Sequence, residues 1–320
     1  RDERSVAAPA ADAAGDEAAS LRGRSRTSAR GTDGRRGGTT TVARWWRATP
    51  IRPARRVLDR GRDRQSARGR LRADDLSTEQ CQRFAAWTNL SETTFLLAPT
   101  TTGADYRVRI FTPTLELPFA GHPTLGTCRA WLDAGGEPSG DEIVQECGAG
   151  LIRIRRDHDR LAFAAPPLLR SGPVEPELLT RIERTIGGPV VDAAWADNGP
   201  GWVVAELADA AAVLAVRPDF GPEGAFDLGL VGRATSGDGH DVEVRAFFPG
   251  PSGPLEDPVT GSLNASIAMW LMDRDPTLTA YVARQGTVIG RDGRVHVARD
   301  GETIWVGGSV TGAIDGTVDI

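Results

Sequence analysis

The sequence predicts an α+β protein built from two similar halves, and three observations carry that expectation. Residue texture changes near Asp74, strand-like alternation gives way twice to helix-like spacing, and the two places where it does so repeat one motif. At 320 residues and 40% apolar content, the chain has material for two cores of ordinary size.

Residues 1–75 hold 19 of the 38 basic residues, all of them arginine, in under a quarter of the length. Gly, Ala, Ser and Thr separate the charges and no period emerges, which is the composition of a disordered basic extension. A nucleic-acid arm would interleave aromatics with the charges, and this segment does not, so no nucleic-acid partner is expected. It also lacks the apolar block of a secretory signal, and no stretch reaches the ~18 apolar residues of a membrane span. A cytoplasmic protein without membrane contact is the expectation.

From Asp74 ordered structure is expected. Ser77-Thr-Glu-Gln80 reads as a capping box, and Cys81, Phe84, Ala85 and Thr88 follow at helical spacing as a buried stripe. Asn89-Leu-Ser-Glu92 ends that helix. Thr93–Leu97 reads as a strand by its β-branched and apolar content, and 107–111 alternates like a half-buried one. Pro166, Pro167, Pro173 and Pro176 mark a turn-rich crossing. The expected domains are therefore 74–165 and 166–320, with a last strand able to return to the first.

The repeat is the strongest feature. Arg109-Ile-Phe-Thr-Pro113 leads to Glu116-Leu-Pro-Phe-Ala-Gly121-His122 and an apolar run ending at Trp131-Leu132. Arg245-Ala-Phe-Phe-Pro249 leads to Glu256-Asp-Pro-Val-Thr-Gly261-Ser262 and a run ending at Trp270-Leu271. Both read strand, Pro-containing loop, Glu-x-Pro-x-x-Gly-[His/Ser], helix. Two copies imply a duplicated unit, and two like domains face to face would bring the two turns together.

Composition narrows the chemistry. There is no lysine, which removes a Schiff-base lysine and the P-loop lysine. No Gly-x-Gly-x-x-Gly follows a strand-like run, so nucleotide cofactors have no seat. Three cysteines without a Cys-x-x-Cys pair, and four scattered histidines, point neither to disulfides nor to a metal. Carboxylates, His, hydroxyls and backbone amides remain.

Gly121 and Gly261 each precede a helix-like segment, 124–132 and 263–271. Helix N-termini offer unpaired amides and partial positive charge, so two converging ends would cradle a carboxylate, with His122 and Ser262 adding donors. Taken singly these are ordinary caps, Ser262 capping its own helix; the repeat favours a site. Glu92, flanked by Leu90, Phe95 and Leu96, is a candidate proton carrier in a partly apolar setting. Asp257, beside Pro258, is the other candidate acid.

Asn89-Leu-Ser-Glu92-Thr-Thr-Phe95, Gly121-His122-Pro-Thr-Leu-Gly126 and Glu256-Asp257-Pro-Val-Thr-Gly261-Ser262 resemble the three signature blocks of the PhzF family. Gln285-Gly286, Gly290-Arg291 and Val306-Gly-Gly-Ser-Val310 resemble its C-terminal block, so the resemblance runs from about Asp74 to Ile320. It implies the fold of diaminopimelate epimerase, two like domains each with a central helix wrapped by a mostly antiparallel sheet. It also implies a homodimer, no cofactor, and a small carboxylic acid substrate. Carried over residue by residue, Glu92 would be the general acid/base, with His122 and Asp257 assisting. Gly121, Gly261 and Ser262 would hold the substrate. The activity implied is that of trans-2,3-dihydro-3-hydroxyanthranilate isomerase, a proton moved along a ring. The alternatives are a racemase or epimerase of the same fold, which would need a cysteine pair where His122 and Ser262 stand, and a non-catalytic interaction protein.

One departure stands out. Family members open with a strand and a Gly-Asn-Pro turn, where this chain has arginine-rich sequence. Codons for residues 63–72, read one nucleotide later, can encode that turn and an apolar strand. Residues 1–73 are therefore expected to be disordered or out of frame, leaving the first sheet with an open edge.

Overall fold

The computed structural model of the chain describes the backbone of Trp45–Arg47 and residues 73–235, 237–250, 253–314 and 316. The expectation for residues 1–73 falls, but for Ala73 and that short backbone stretch, outside them. Strand β1 (Trp45–Arg47) precedes helix α1 (Thr78–Thr88), which opens on the expected capping box. The Ser77 amide donates to Gln80 Oε1 at 2.9 Å, and the Gln80 amide donates to Ser77 Oγ at 3.3 Å. Cys81, Phe84 and Ala85 are buried against Phe95 and Phe111, while Thr88 is only half-buried and returns its hydroxyl to the Ala85 carbonyl. Asn89 adopts the left-handed conformation that ends the helix, a role Asn fills at low cost.

The first half continues with β2 (Thr93–Leu97), β3 (Tyr106–Phe111), β4 (Glu116–Leu117), α2 (Gly121–Asp133), β5 (Ile143–Cys147), β6 (Gly150–Asp157) and β7 (Arg160–Ala164). The second runs β8 (Arg170–Pro173), α3 (Pro176–Ile186), β9 (Asp192–Asp197), β10 (Val203–Glu206), α4 (Ala210–Ala215) and β11 (Leu228–Arg233). Then come β12 (Val242–Gly250), β13 (Gly253–Asp257), α5 (Gly261–Arg274), β14 (Ala280–Gln285), β15 (Gly293–Asp300), β16 (Thr303–Ser309) and β17 (Thr311–Ile314), the last pairing with β1. Pro176 stands in the first turn of α3, where its missing amide costs nothing.

The repeat is present in three dimensions. β3 and β4 form a hairpin with Phe111 opposite Glu116, and β12 and β13 form one with Phe247 opposite Glu256. In each hairpin an arginine grips the glutamate by two bonds: Arg109 to Glu116 at 2.7 and 2.6 Å, and Arg245 to Glu256 at 2.9 and 2.7 Å. A helix follows, and then a strand lies parallel to the first: β5 on β3, β14 on β12. Antiparallel pairs β5–β6–β7 and β14–β15–β16 complete each half, and β7 pairs with β16 to join the two sheets into one. Among the described residues β2 is an end strand of that sheet, while α3 and α4 cover β9–β11 in a side layer with its own core.

α2 and α5 sit inside the sheet rather than on it. Thr124, Thr127, Cys128 and Ala130 of α2, and 263–268 of α5, are all buried. A helix apolar on most sides has to be surrounded, and the curled sheet surrounds these two. The main core joins both, from Tyr106, Ile110 and Ile154 through Phe163 to Leu263, Ile267 and Val306. One expectation needs correcting: Gly121 and Gly261 are the first residues of their helices, not residues ahead of them. Each helix starts three or two residues before its apolar run, because its first turn faces the junction between halves rather than the core.

Candidate active site

The two helix starts meet backbone to backbone. A Cβ on Gly121 would lie 2.8 Å from Gly261 Cα, and one on Gly261 would lie 2.7 Å from Gly121 Cα. No side chain fits in that gap, so glycine at both positions follows from packing. The first-turn amides of α2 and α5 therefore share one small region, as the repeat suggested. The caps differ from expectation: Ala120 and Thr260 occupy the N-cap positions, neither caps its helix by side chain, and Ser262 is inside the first turn.

Three ionisable groups converge on this junction. Glu92 ends the turn after α1, and its Oε2 lies 2.9 Å from Nε2 of His122 in the first turn of α2. Asp257 ends β13 just ahead of α5, within range for its charge to act on both. Burial pulls His122 down, but the Glu92 carboxylate beside it and the Asp257 charge outweigh that and hold it above its ordinary value. The Asp257 carboxyl is pushed up to about 6, chiefly by burial and further by Glu92, against the opposing His122 charge and a hydrogen bond from Thr260. A carboxyl tuned toward neutrality beside a second one is the arrangement that lets the same atoms give and take a proton.

Ser262 is held from the second half. Trp202 donates its indole N–H to Ser262 Oγ at 3.0 Å, and Asn198 donates to the Ser262 carbonyl at 2.9 Å. The β9–β10 turn thus folds over the start of α5, and Asn198 Oδ1 is left buried without a partner. Next to His122 and Gly261 a mostly apolar cleft opens between Phe163, Val259, Val306 and Arg294. Its apolar lining suits a flat hydrophobic body, with His122 and the Gly261 backbone at one end.

All six residues singled out from sequence, Glu92, Gly121, His122, Asp257, Gly261 and Ser262, are in this one place. Sequence reasoning missed Thr260, Gln285, Asn198 and Trp202 as individuals. Gln285 was legible only as part of a motif. The cysteines are elsewhere: Cys128 is fully buried in α2, its thiol pushed up to about 12 by burial, and Cys147 ends β5. Among the described residues no group of three or more His, Cys, Asp or Glu side chains is placed to hold a metal ion, and no helix is long and apolar enough to cross a membrane.

A duplicated α+β scaffold whose two internal helices abut, with carboxyls and a histidine at the junction, has the groups that acid–base chemistry needs. Residues 70–313 match the family model described as phenazine biosynthesis-like protein (PhzC-PhzF). A protein of Schizosaccharomyces pombe named antisense-enhancing sequence 1 is 34% identical over 266 residues, 76% of this chain and 90% of that one. The trans-2,3-dihydro-3-hydroxyanthranilate isomerase of Pseudomonas aeruginosa is 34% identical over 237 residues, 71% of this chain and 82% of its own. The crystal structure of a PhzF-family protein from Bacillus anthracis superposes with a TM-score of 0.63 over 78% of this chain and 92% of its own, at 22% identity. The chain belongs to the PhzF family, and by class it is an isomerase.

Proposed function

We propose that the chain is a cofactor-independent isomerase that moves a proton on a small cyclic or aromatic carboxylic acid. The reaction is of the kind named for the Pseudomonas aeruginosa relative. The observation that carries this reading is the meeting of Glu92, His122 and Asp257 beside two abutting helix N-termini. First-turn amides of α2 and α5, with the Ser262 hydroxyl, hold the substrate carboxylate. The ring lies against the apolar cleft, and Glu92, 17% exposed, can exchange the proton it carries with water before returning it. Glu92 takes the proton from one carbon and returns it to another, so the substrate neither gains nor loses atoms. His122, kept above its ordinary value by the two carboxyls, balances their charge, and Asp257 exchanges protons with the substrate's polar substituent. A pair of catalytic cysteines is disfavoured, because the thiols of Cys128 and Cys147 are both raised by burial.

The test is isomerisation of trans-2,3-dihydro-3-hydroxyanthranilate in deuterium oxide, followed by NMR. Turnover should place one solvent deuteron on carbon. Cyclic carboxylic acids should also raise the melting temperature more than their amides do, since a ligand bound only by the native state stabilises it. Equal protection by acids and amides, with no deuterium incorporation across a panel of such acids, would count against the reading.

A further inference from the structure

Thr260 stands at the N-cap of α5, where a threonine ordinarily turns its hydroxyl to accept from an amide of the helix's first turn. It makes no such bond. Its hydroxyl points backwards and lies 2.6 Å from Asp257 Oδ2. Behind it, Gln285 Nε2 donates to Thr260 Oγ1 at 2.9 Å and to the Asp257 carbonyl at 3.0 Å. The orientation of Gln285 is fixed as well, since its Oε1 accepts from the Thr260 amide at 3.0 Å and from Asn264 Nδ2 at 2.8 Å. Turning the amide over would set donors against donors. Because Gln285 occupies the Thr260 oxygen as a donor, the hydroxyl proton has one acceptor left, the Asp257 carboxylate. Thr260, Asn264 and Gln285 are all buried, so water does not compete for these bonds.

The other half of the molecule serves as an internal control. Gly148 packs on Pro118 as Gly286 packs on Pro258, a Cβ at either glycine coming within 2.8 or 2.7 Å of the proline backbone. With the Arg–Glu hairpins and the helix starts superposed in sequence, Leu117, Ala120 and Cys147 stand where the second half has Asp257, Thr260 and Gln285. The first half builds the same hairpin, turn and helix with no side chain bonded at Leu117 or Ala120; its strand after the helix sends Gln145 to Thr124 at 2.9 Å instead, with Tyr106 donating to Gln145. A polar link from strand to helix start is thus common to both halves, but only in the second does it run through the cap residue to a carboxyl.

We propose that Thr260 and Gln285 are positioning residues for Asp257, fixing its carboxyl plane by directed donation to Oδ2 and so presenting Oδ1 to the substrate. This rests on the reading of Asp257 as an acid of the proposed site. The hydroxyl donation also favours the ionised carboxylate and limits how far burial raises Asp257.

The test uses the full chain with carboxyl-labelled aspartate, following the Asp257 titration by NMR in the wild type, Thr260→Ala and Thr260→Ser. The alanine variant copies Ala120 of the first half, so the turn tolerates it. Losing a hydrogen bond to the charged form should raise the Asp257 titration by about one unit, and serine should bring it back. With a turned-over substrate, the matching limb of the pH–rate profile should move by the same amount in Thr260→Ala, kcat falling more than KM rises. Gln285→Leu should give a shift in the same direction, because it frees the hydroxyl to turn away. An Asp257 titration that stays put in Thr260→Ala, or that serine does not restore, would overturn the proposal. The NMR arm needs no substrate, so a wild type that turns over none of the panel would sink the proposed function and leave this test intact.

Discussion

Replacing Asp257 by asparagine should make the folded chain more stable at neutral pH while removing turnover. The Asp257 carboxyl titrates at about 6 rather than 3.8, chiefly because it is buried. A folded-state value above the unfolded one means that stability is complete below about 3.8 and is lost as pH rises through about 6. At about 1.4 kcal/mol per unit, a rise of roughly two units costs about 3 kcal/mol at pH 7.5 and about 1 kcal/mol at pH 4.5. Asparagine keeps the size and an acceptor for Thr260 but carries no charge, so it escapes that cost. For a folded region of this size roughly 2–4 °C accompany each kcal/mol, which places the gain at roughly 6–12 °C at pH 7.5 and about a third of that at pH 4.5. Thermal melts of both proteins at the two pH values are sufficient. An asparagine variant that melts below the parent at pH 7.5, or whose advantage does not shrink at pH 4.5, would refute the reasoning.

Further expectations follow from the same geometry. Gly121→Ala or Gly261→Ala forces two backbones apart, so urea denaturation should show a loss of about 1–3 kcal/mol, with weaker protection by carboxylic acids. The paired hairpin arginines should differ sharply although their bonds match. Arg245, 2% exposed, leaves a buried carboxylate when changed to alanine and should cost about 3–5 kcal/mol, whereas Arg109, 20% exposed opposite a Glu116 at 38%, should cost about 1 kcal/mol or less. His122 sits above its ordinary 6.5, so its contribution to stability should be full below that pH and lost as pH rises through the folded value. His122→Gln should therefore narrow its deficit against the parent in melts taken from pH 6 to pH 9.

The parts of the fold legible in sequence were those written in local chemistry. Ser77 and Gln80 are three residues apart, so their capping box announces itself, and Arg109-x-Phe with Glu116 recurs as Arg245-x-Phe with Glu256 because both hairpins need the same grip. The meeting of Gly121 and Gly261 could be anticipated from the duplication alone. What stayed hidden was chemistry across distance. Gln285 reaches Thr260 from 25 residues away, and Trp202 reaches Ser262 from 60; neither spacing has a period to betray it. The start of α5 was misplaced because Ser262, read as its cap, lies inside the first turn, and the apolar run begins only at Leu263.

Glu92→Gln is the most direct measurement of the central claim, that the carboxyl after α1 carries the proton at the junction of the halves. Glutamine keeps the size of Glu92 and can still meet His122, so ligand protection and folding should survive. Transfer of solvent deuterium to trans-2,3-dihydro-3-hydroxyanthranilate should fall by about 10²–10⁴-fold, the usual loss when a general acid/base is removed. A glutamine variant that still delivers deuterium at a near-parental rate would contradict the assignment.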